Sequence, residues 1–183
     1  MKKHFNVLVT RRLHRSVLEK LGKKCNVILH EGKIPIPKKI LMKKIRNVEG
    51  LICHPYDTID EDVIQVAKNL RIISTFSVGF DHIDIDFAKS RGIKIGYTPE
   101  VLTNATAELT IALILDVMRR VTEGDRLIRD KRWRQVFGAN DYTGTEVSGK
   151  IIGILGMGRI GREVAKKANG LGMKVVYSSR RQM

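Results

Sequence analysis

Short apolar runs alternate along this chain with segments whose apolar residues recur every three or four positions. FNVLVT (5–10), CNVIL (25–29), GLIC (50–53), RIIST (71–75) and KIGY (94–97) are bounded by polar, Gly or Pro residues and read as strands. Between the first two, Leu13, Val17, Leu18 and Leu21 follow helical spacing, and Gly22 ends that helix. The next helix carries Ile40, Leu41 and Ile45, with Pro37 at its tolerated beginning. A third begins at Asp60, which can cap it. Glu61 and Asp62 suit the positive end of the helix dipole, and Ile59 can staple to Ile64. A fourth runs from about Asp84 to Arg91, and Gly92 suits a left-handed exit. Strand and helix thus alternate about every twenty residues, which predicts a parallel sheet covered on both faces.

The pattern changes after Pro99. Residues 104–121 predict one long helix, apolar on nearly all sides from Leu109 to Met118 and so expected to be buried, between domains or subunits. A second helix is expected to about Arg134, and the Gly-, Asn-, Asp- and Thr-rich stretch 135–149 reads as a loop. KIIGIL then predicts a buried strand, GMGRIG opens a helix, and KVVYS supplies a second strand. A lone βαβ unit cannot cover both faces of its two strands. The second domain is therefore expected to be incomplete, with the chain as the front part of something longer. The expected division is 1–99 and 100–183.

Composition adds mainly exclusions. The 183 residues are 43% hydrophobic and 29% charged, which suits a soluble globular protein and excludes collagen, low-complexity disorder and disulfide miniproteins. No apolar run reaches the ~18 residues of a membrane span, and the apolar stretch near the start is too short for a signal peptide; a cytoplasmic protein is expected. The formal charge of +15 is concentrated in residues 1–50, which hold 14 basic and 3 acidic residues. Such a balance attracts anions. Lys23, Lys24, Lys38, Lys39, Lys43 and Lys44 nevertheless fall on polar faces or loops, Phe5 is the one aromatic in that segment, and no nucleic-acid-reading motif occurs. No nucleic-acid partner is expected. Cys25 and Cys53 sit in apolar runs without metal spacing and read as buried free thiols. His4, His14 and His30 show no ligand spacing either, and no metal site is expected.

Candidate chemistry lies in Gly156-Met157-Gly158-Arg159-Ile160-Gly161, a G-x-G-x-x-G pattern between a strand and a helix, with a second strand after it. Gly156 permits a tight turn, Gly158 lets the backbone approach a pyrophosphate, and Gly161 lets helix and strand pack closely. The helix N-terminus offers N–H groups and partial positive charge to phosphates. An acidic residue past the second strand would hold the ribose 2′-hydroxyl of NAD. Ser178, Ser179, Arg180 and Arg181 stand there instead, two hydroxyls and two cations that suit a 2′-phosphate. NADP(H) is the expected cofactor, with NAD possible.

GMGRIG after KIIGIL, SVGFDHIDID at 77–86 and GYTPEVLTNATAELT at 96–110 together resemble the D-isomer-specific 2-hydroxyacid dehydrogenases, nearest the glyoxylate/hydroxypyruvate reductases. The resemblance implies an α/β fold: a flavodoxin-like substrate domain followed by the beginning of a Rossmann NAD(P)-binding domain. It implies that the backbone at Val78 and Gly79 binds the substrate carboxylate. It also places Gly158, Arg159, Ile160 and Gly161 at the pyrophosphate, Ser179, Arg180 and Arg181 at the 2′-phosphate, and Thr103 near the nicotinamide. The helix 104–121 matches the family's dimer-forming region, so a homodimer is expected. The implied reaction interconverts a small 2-oxo acid and its 2-hydroxy acid by hydride transfer. The family's catalytic Arg, Glu and His follow the second Rossmann strand, so no catalytic residue is assigned within 1–183, and this stretch alone is expected to be inactive. His54, just after GLIC, is the candidate for lining the substrate pocket, and His82 reads as a loop histidine. The alternative is a nucleotide-binding module on the same fold that performs no chemistry.

Overall fold

The computed structural model describes residues 5–133 and 137–180, and the chain divides into two compact units, Met1–Val101 and Leu102–Met183. In the first unit β1 (Phe5–Val9), α1 (Arg15–Gly22), β2 (Cys25–Leu29), α2 (Lys38–Lys44), β3 (Gly50–Cys53), α3 (Glu61–Val66), β4 (Ile72–Thr75), α4 (Ile85–Ser90) and β5 (Lys94–Gly96) follow in order. The strands pair in parallel as β2-β1-β3-β4-β5, the flavodoxin-like order. Short β-branched runs make these strands, and local caps start the helices. Asp60 accepts the Val63 amide at 3.2 Å and Asp84 the Phe87 amide at 2.9 Å. Gly92 leaves α4 at φ +70°, the left-handed exit that glycine allows without steric cost.

Register builds the core. Leu8 pairs with Leu51 and Leu51 with Ile73, so three buried side chains form one row across the sheet. They join Leu41, Ile45, Ile59, Val63 and Ile64 of the covering segments in a single cluster. Each such side chain contributes roughly 1.5–3 kcal/mol by leaving water. Among them Ile59 and Ile64 are both fully buried around the start of α3.

The second unit holds α5 (Thr103–Arg119), α6 (Val121–Arg129), β6 (Ile151–Leu155), α7 (Arg159–Gly170) and β7 (Lys174–Ser178). β6 and β7 form a parallel two-stranded sheet, and α5 packs along α7. Its core cluster is Val147, Ala168 and Met173, with Ile111, Leu115, Met118 and Ile152 partly covered around them, and Ala107, Met157 and Val164 are buried outside it.

Four expectations need correction here. Helix α5 is not buried on all sides: Leu109, Leu113 and Val117 are 60%, 56% and 76% exposed, because α7 covers one face only. The KIIGIL strand is likewise open, with Ile151 67% and Leu155 91% exposed, since a two-stranded sheet with one crossover helix has one face uncovered. Helix α6 ends at Arg129, short of Arg134, where Asp130 caps it and Lys131 turns left-handed at φ +55°. Arg134 itself lies outside the described residues. Both cysteines are free thiols, and Cys53 is buried, but Cys25 is only half-buried because β2 is an edge strand. Among the described residues no helix is long and apolar enough to cross a membrane, and no group of three His, Cys, Asp or Glu residues is placed to hold a metal.

Candidate functional site

The glycine turn of the second unit is built by backbone geometry. Gly156 sits at φ +95°, outside the range of ordinary L-residues, and its N–H donates to the Ser178 carbonyl at 2.8 Å. That bond ties the turn to the end of β7. Gly158 precedes α7 in extended conformation, and a Cβ there would meet nothing within 4 Å. Gly161 is the opposite case: a Cβ would lie 2.2 Å from the Gly156 carbonyl oxygen. Only glycine lets the first turn of α7 press against the turn that feeds it. The first bond of the helix ladder runs from the Arg162 N–H to the Gly158 carbonyl, so the amides before it point outside the ladder, as anion binding requires.

Beside this turn lies a cavity of about 820 Å³. Gly156, Met157 and Gly158 form one wall, and Ser178, Ser179 and Arg180 the other. Among the described residues no carboxylate lines it. The residues fit a dinucleotide: a bare glycine backbone for the pyrophosphate, and hydroxyls with a cation beyond the second strand. Arg159, Ile160 and Gly161 open α7 next to the cavity without lining it. Thr103 opens α5, is half-buried, and does not line it either. Arg181 lies outside the described residues.

In the first unit the loop after β4 is held by a chain of hydroxyls. Ser77 Oγ donates to the Gly79 carbonyl at 2.6 Å, Thr75 Oγ1 lies 2.6 Å from Ser77 Oγ, and His82 Nε2 lies 2.9 Å from Thr75 Oγ1. Since the Ser77 hydroxyl is spent on Gly79, Thr75 donates to Ser77 and His82 donates to Thr75. His82 is therefore an anchor, and burial holds its pKa below the usual histidine value. Thr98 fixes the loop from the far side, through its N–H and its hydroxyl, both donating to the Ser77 carbonyl at 3.0 Å. The Val78 and Gly79 amides donate to no group among the described residues. A held loop with two unspent N–H donors can accept an anionic oxygen.

His54 lies past the end of β3. Its N–H donates to Asp57 Oδ2 at 2.8 Å and its ring stacks on Tyr56 with centroids 5.3 Å apart. Its Nδ1 is buried without a hydrogen-bond partner. Burial, with the positive charge of Arg11 second, holds the ring below the ordinary histidine pKa, against an opposing pull from Asp57. Asp57 is 3% exposed and gathers three donors: the Thr10 hydroxyl at 2.5 Å, the His54 amide and the Ile36 amide at 3.4 Å. Sequence reasoning missed Asp57 and Arg11. A lone Asp in a turn resembles a solvated one, and Arg11 was one of many basic residues. The available signal for Arg11 was its place just past β1, a central strand of the sheet.

The family model of the D-isomer specific 2-hydroxyacid dehydrogenase, catalytic domain, matches residues 7–180. The chain is 44% identical over 172 residues to a glyoxylate reductase of Thermofilum pendens, covering 93% of this chain and 51% of that protein. Among solved structures, the TT0316 protein from Thermus thermophilus superposes with a TM-score of 0.89 at 43% identity, over 97% of this chain and 57% of that one. An NADPH-dependent glyoxylate/hydroxypyruvate reductase from Sinorhizobium meliloti, solved in complex with NADP, matches with a TM-score of 0.83 at 25% identity, over 99% and 55%. The chain spans about half the length of the curated relatives it matches.

Proposed function

Because the chain belongs to the D-isomer-specific 2-hydroxyacid dehydrogenase family, we propose that it forms the substrate-binding and dinucleotide-binding part of an NADP(H)-dependent reductase of a small 2-oxo acid, glyoxylate or hydroxypyruvate. The relatives named glyoxylate reductase support the substrate class. Residues 1–99 are the substrate domain in this reading, and 100–183 belong to the nucleotide domain.

The observation that carries the cofactor reading is the far wall of the glycine-turn cavity, Ser178, Ser179 and Arg180 with no carboxylate among them. A carboxylate there would repel a 2′-phosphate. Hydroxyls and a guanidinium bind one through charge-assisted hydrogen bonds, with Arg181 as a second cation. Bound NADPH supplies hydride to the carbonyl carbon. The protein's part is to place that carbonyl. The Val78 and Gly79 amides hold the substrate carboxylate, and the hydroxyl chain from His82 to Gly79 keeps those amides aimed. Thr103 lies toward the nicotinamide in the same reading. The protein acts in the cytoplasm as a homodimer, with the exposed apolar stripe of α5 as the contact.

The test is the affinity of the 183-residue chain for NADPH and NADH, followed by nucleotide fluorescence. NADPH is expected to bind at least about tenfold more tightly, and Arg180→Ala to remove most of that preference. Equal affinities for the two nucleotides would sink the NADP reading.

A further inference from the structure

In an open parallel sheet, ligands sit beyond the carboxyl ends of the strands where the strand order reverses. Here that reversal lies between β1 and β3, because β2 was laid on one side of β1 and β3 on the other. A cavity of about 360 Å³ occupies that place. Arg11, His14 and Val17 reach it from the segment after β1, His54 from the end of β3, and Phe76 from the end of β4. The Thr10 N–H bonds to the Ile52 carbonyl at 3.0 Å and the Phe76 N–H to the Cys53 carbonyl at 2.9 Å. The sheet ladder thus continues to the rim of the cavity.

The polar groups here are unevenly committed. Arg12 is paired with Glu31, and His14 Nδ1 lies 2.8 Å from the Ser16 hydroxyl. Asp57, nearby, is buried with its oxygens taken by Thr10, Ile36 and the His54 amide. Arg11 has no ion pair or hydrogen bond among the described residues, and His54 Nδ1 has no partner. Among the described residues no carboxylate lines the cavity. The uncommitted Arg11 guanidinium and the edge of the His54 ring therefore share one partly apolar pocket, with nothing of opposite charge among its described lining residues. Arg11 is exposed, so its guanidinium keeps its full charge for an anion, whereas the buried His54 Nδ1 bears the cost of having no partner.

We propose that this cavity is a subsite for a second anionic group, a carboxylate or a phosphate, on the far end of the 2-oxo acid, with Arg11 as its cation and His54 as its hydrogen-bonding partner. The proposal rests on the reading that the Val78 and Gly79 amides take the first carboxylate. Phe76 lines the cavity and begins the loop that carries those amides, so the two sites are contiguous along the chain. Beyond glyoxylate, which leaves this cavity unfilled, the site then also takes 2-oxo acids with a distal carboxylate or phosphate, and holds them more tightly. The guanidinium fork matches either group bidentately.

The experiment is an NMR titration of the ¹⁵N-labelled 183-residue chain with D-lactate, D-malate and D-3-phosphoglycerate, which end in a methyl, a carboxylate and a phosphate. The Gly79 amide reports the first carboxylate, and the His54 ring reports the cavity. D-malate or D-3-phosphoglycerate is expected to bind about tenfold more tightly than D-lactate and to shift the His54 ring. Arg11→Gln should erase that gain while leaving D-lactate affinity unchanged, and Arg11→Lys should keep part of it. The stronger of the two anions says which group the subsite takes. Equal affinity for all three acids, or a gain that survives Arg11→Gln, overturns the proposal. A Gly79 amide silent to every acid, beside a His54 ring that answers D-malate, overturns the carboxylate reading of the loop and supports the anion pocket.

Discussion

Single residues in this chain act through space they occupy or leave open, and two glycines of one motif show opposite consequences. At Gly161 a methyl group would sit 2.2 Å from the Gly156 carbonyl oxygen, so the backbone itself must move. Gly161→Ala is expected to lower the urea-derived stability of the second unit by about 1–3 kcal/mol, the scale of overpacking. At Gly158 a methyl group meets no protein atom and the backbone is not left-handed. Gly158→Ala should therefore keep its urea midpoint yet lose NADPH affinity, because the methyl enters the space that the proposed function gives to the pyrophosphate; an unchanged affinity would remove Gly158 from the site. His82 supplies a pH signature. Burial lowers its folded pKa, so the folded chain resists a proton that the unfolded chain accepts. Its contribution is complete above the ordinary value near 6.5 and is lost as pH falls below it. The urea midpoint is expected to drop between pH 7.5 and 5.5, and to drop less in His82→Gln, whose amide can still donate to Thr75. An identical drop in both would show that His82 is not the titrating group. The glycines were legible in the sequence because the turn has one backbone solution. Asp57 was not, because two of its three donors, Thr10 and Ile36, come from segments distant in the chain.

At the scale of elements, strands and caps were readable where local chemistry decides them. β2 and β3 fall on CNVIL and GLIC, the Asp60 cap forms as its sequence position implies, and the helix expected from about Asp84 begins there, with Asp84 as its cap. Helix α5 shows where such reading stops. An all-round apolar pattern says that a helix must be covered, but not by what. The structure covers the face carrying Ile111, Leu115 and Met118 and leaves Leu109, Leu113 and Val117 as a stripe at i, i+4 and i+8. Such a stripe suits a second copy of the same helix. The chain is expected to sediment as a dimer, and Leu113→Glu as a monomer with an unchanged urea midpoint, since Leu113 is more than half exposed in the single chain. A wild-type chain that sediments as a monomer at tens of micromolar would exclude this stripe as a stable contact.

At the scale of the molecule, the two units differ in how much core each has. The first gathers sixteen buried apolar residues in one cluster over a five-stranded sheet. The second gathers three, under a two-stranded sheet with Ile151 and Leu155 in the open. Hydrophobic burial scales with the apolar surface removed from water, so the second unit has far less to set against its chain entropy. The sequence showed the alternation that builds both sheets, but burial depends on how many layers close over a strand, which the strand's own residues do not encode. Two units of unequal core are not expected to unfold as one. The chain has one tryptophan, Trp133, in the second unit beside Phe137 and Tyr142. Its fluorescence therefore reports that unit, whereas far-ultraviolet circular dichroism reports both. In urea the fluorescence transition should precede the larger part of the dichroism transition. Saturating NADPH should move the fluorescence transition to higher urea by mass action, by about 2.7 kcal/mol at a hundred times the dissociation constant, and leave the later dichroism change in place. Coincident transitions that shift together with NADPH would mean that the two units fold as one cooperative body, and that dinucleotide binding stabilises the substrate-binding sheet as well.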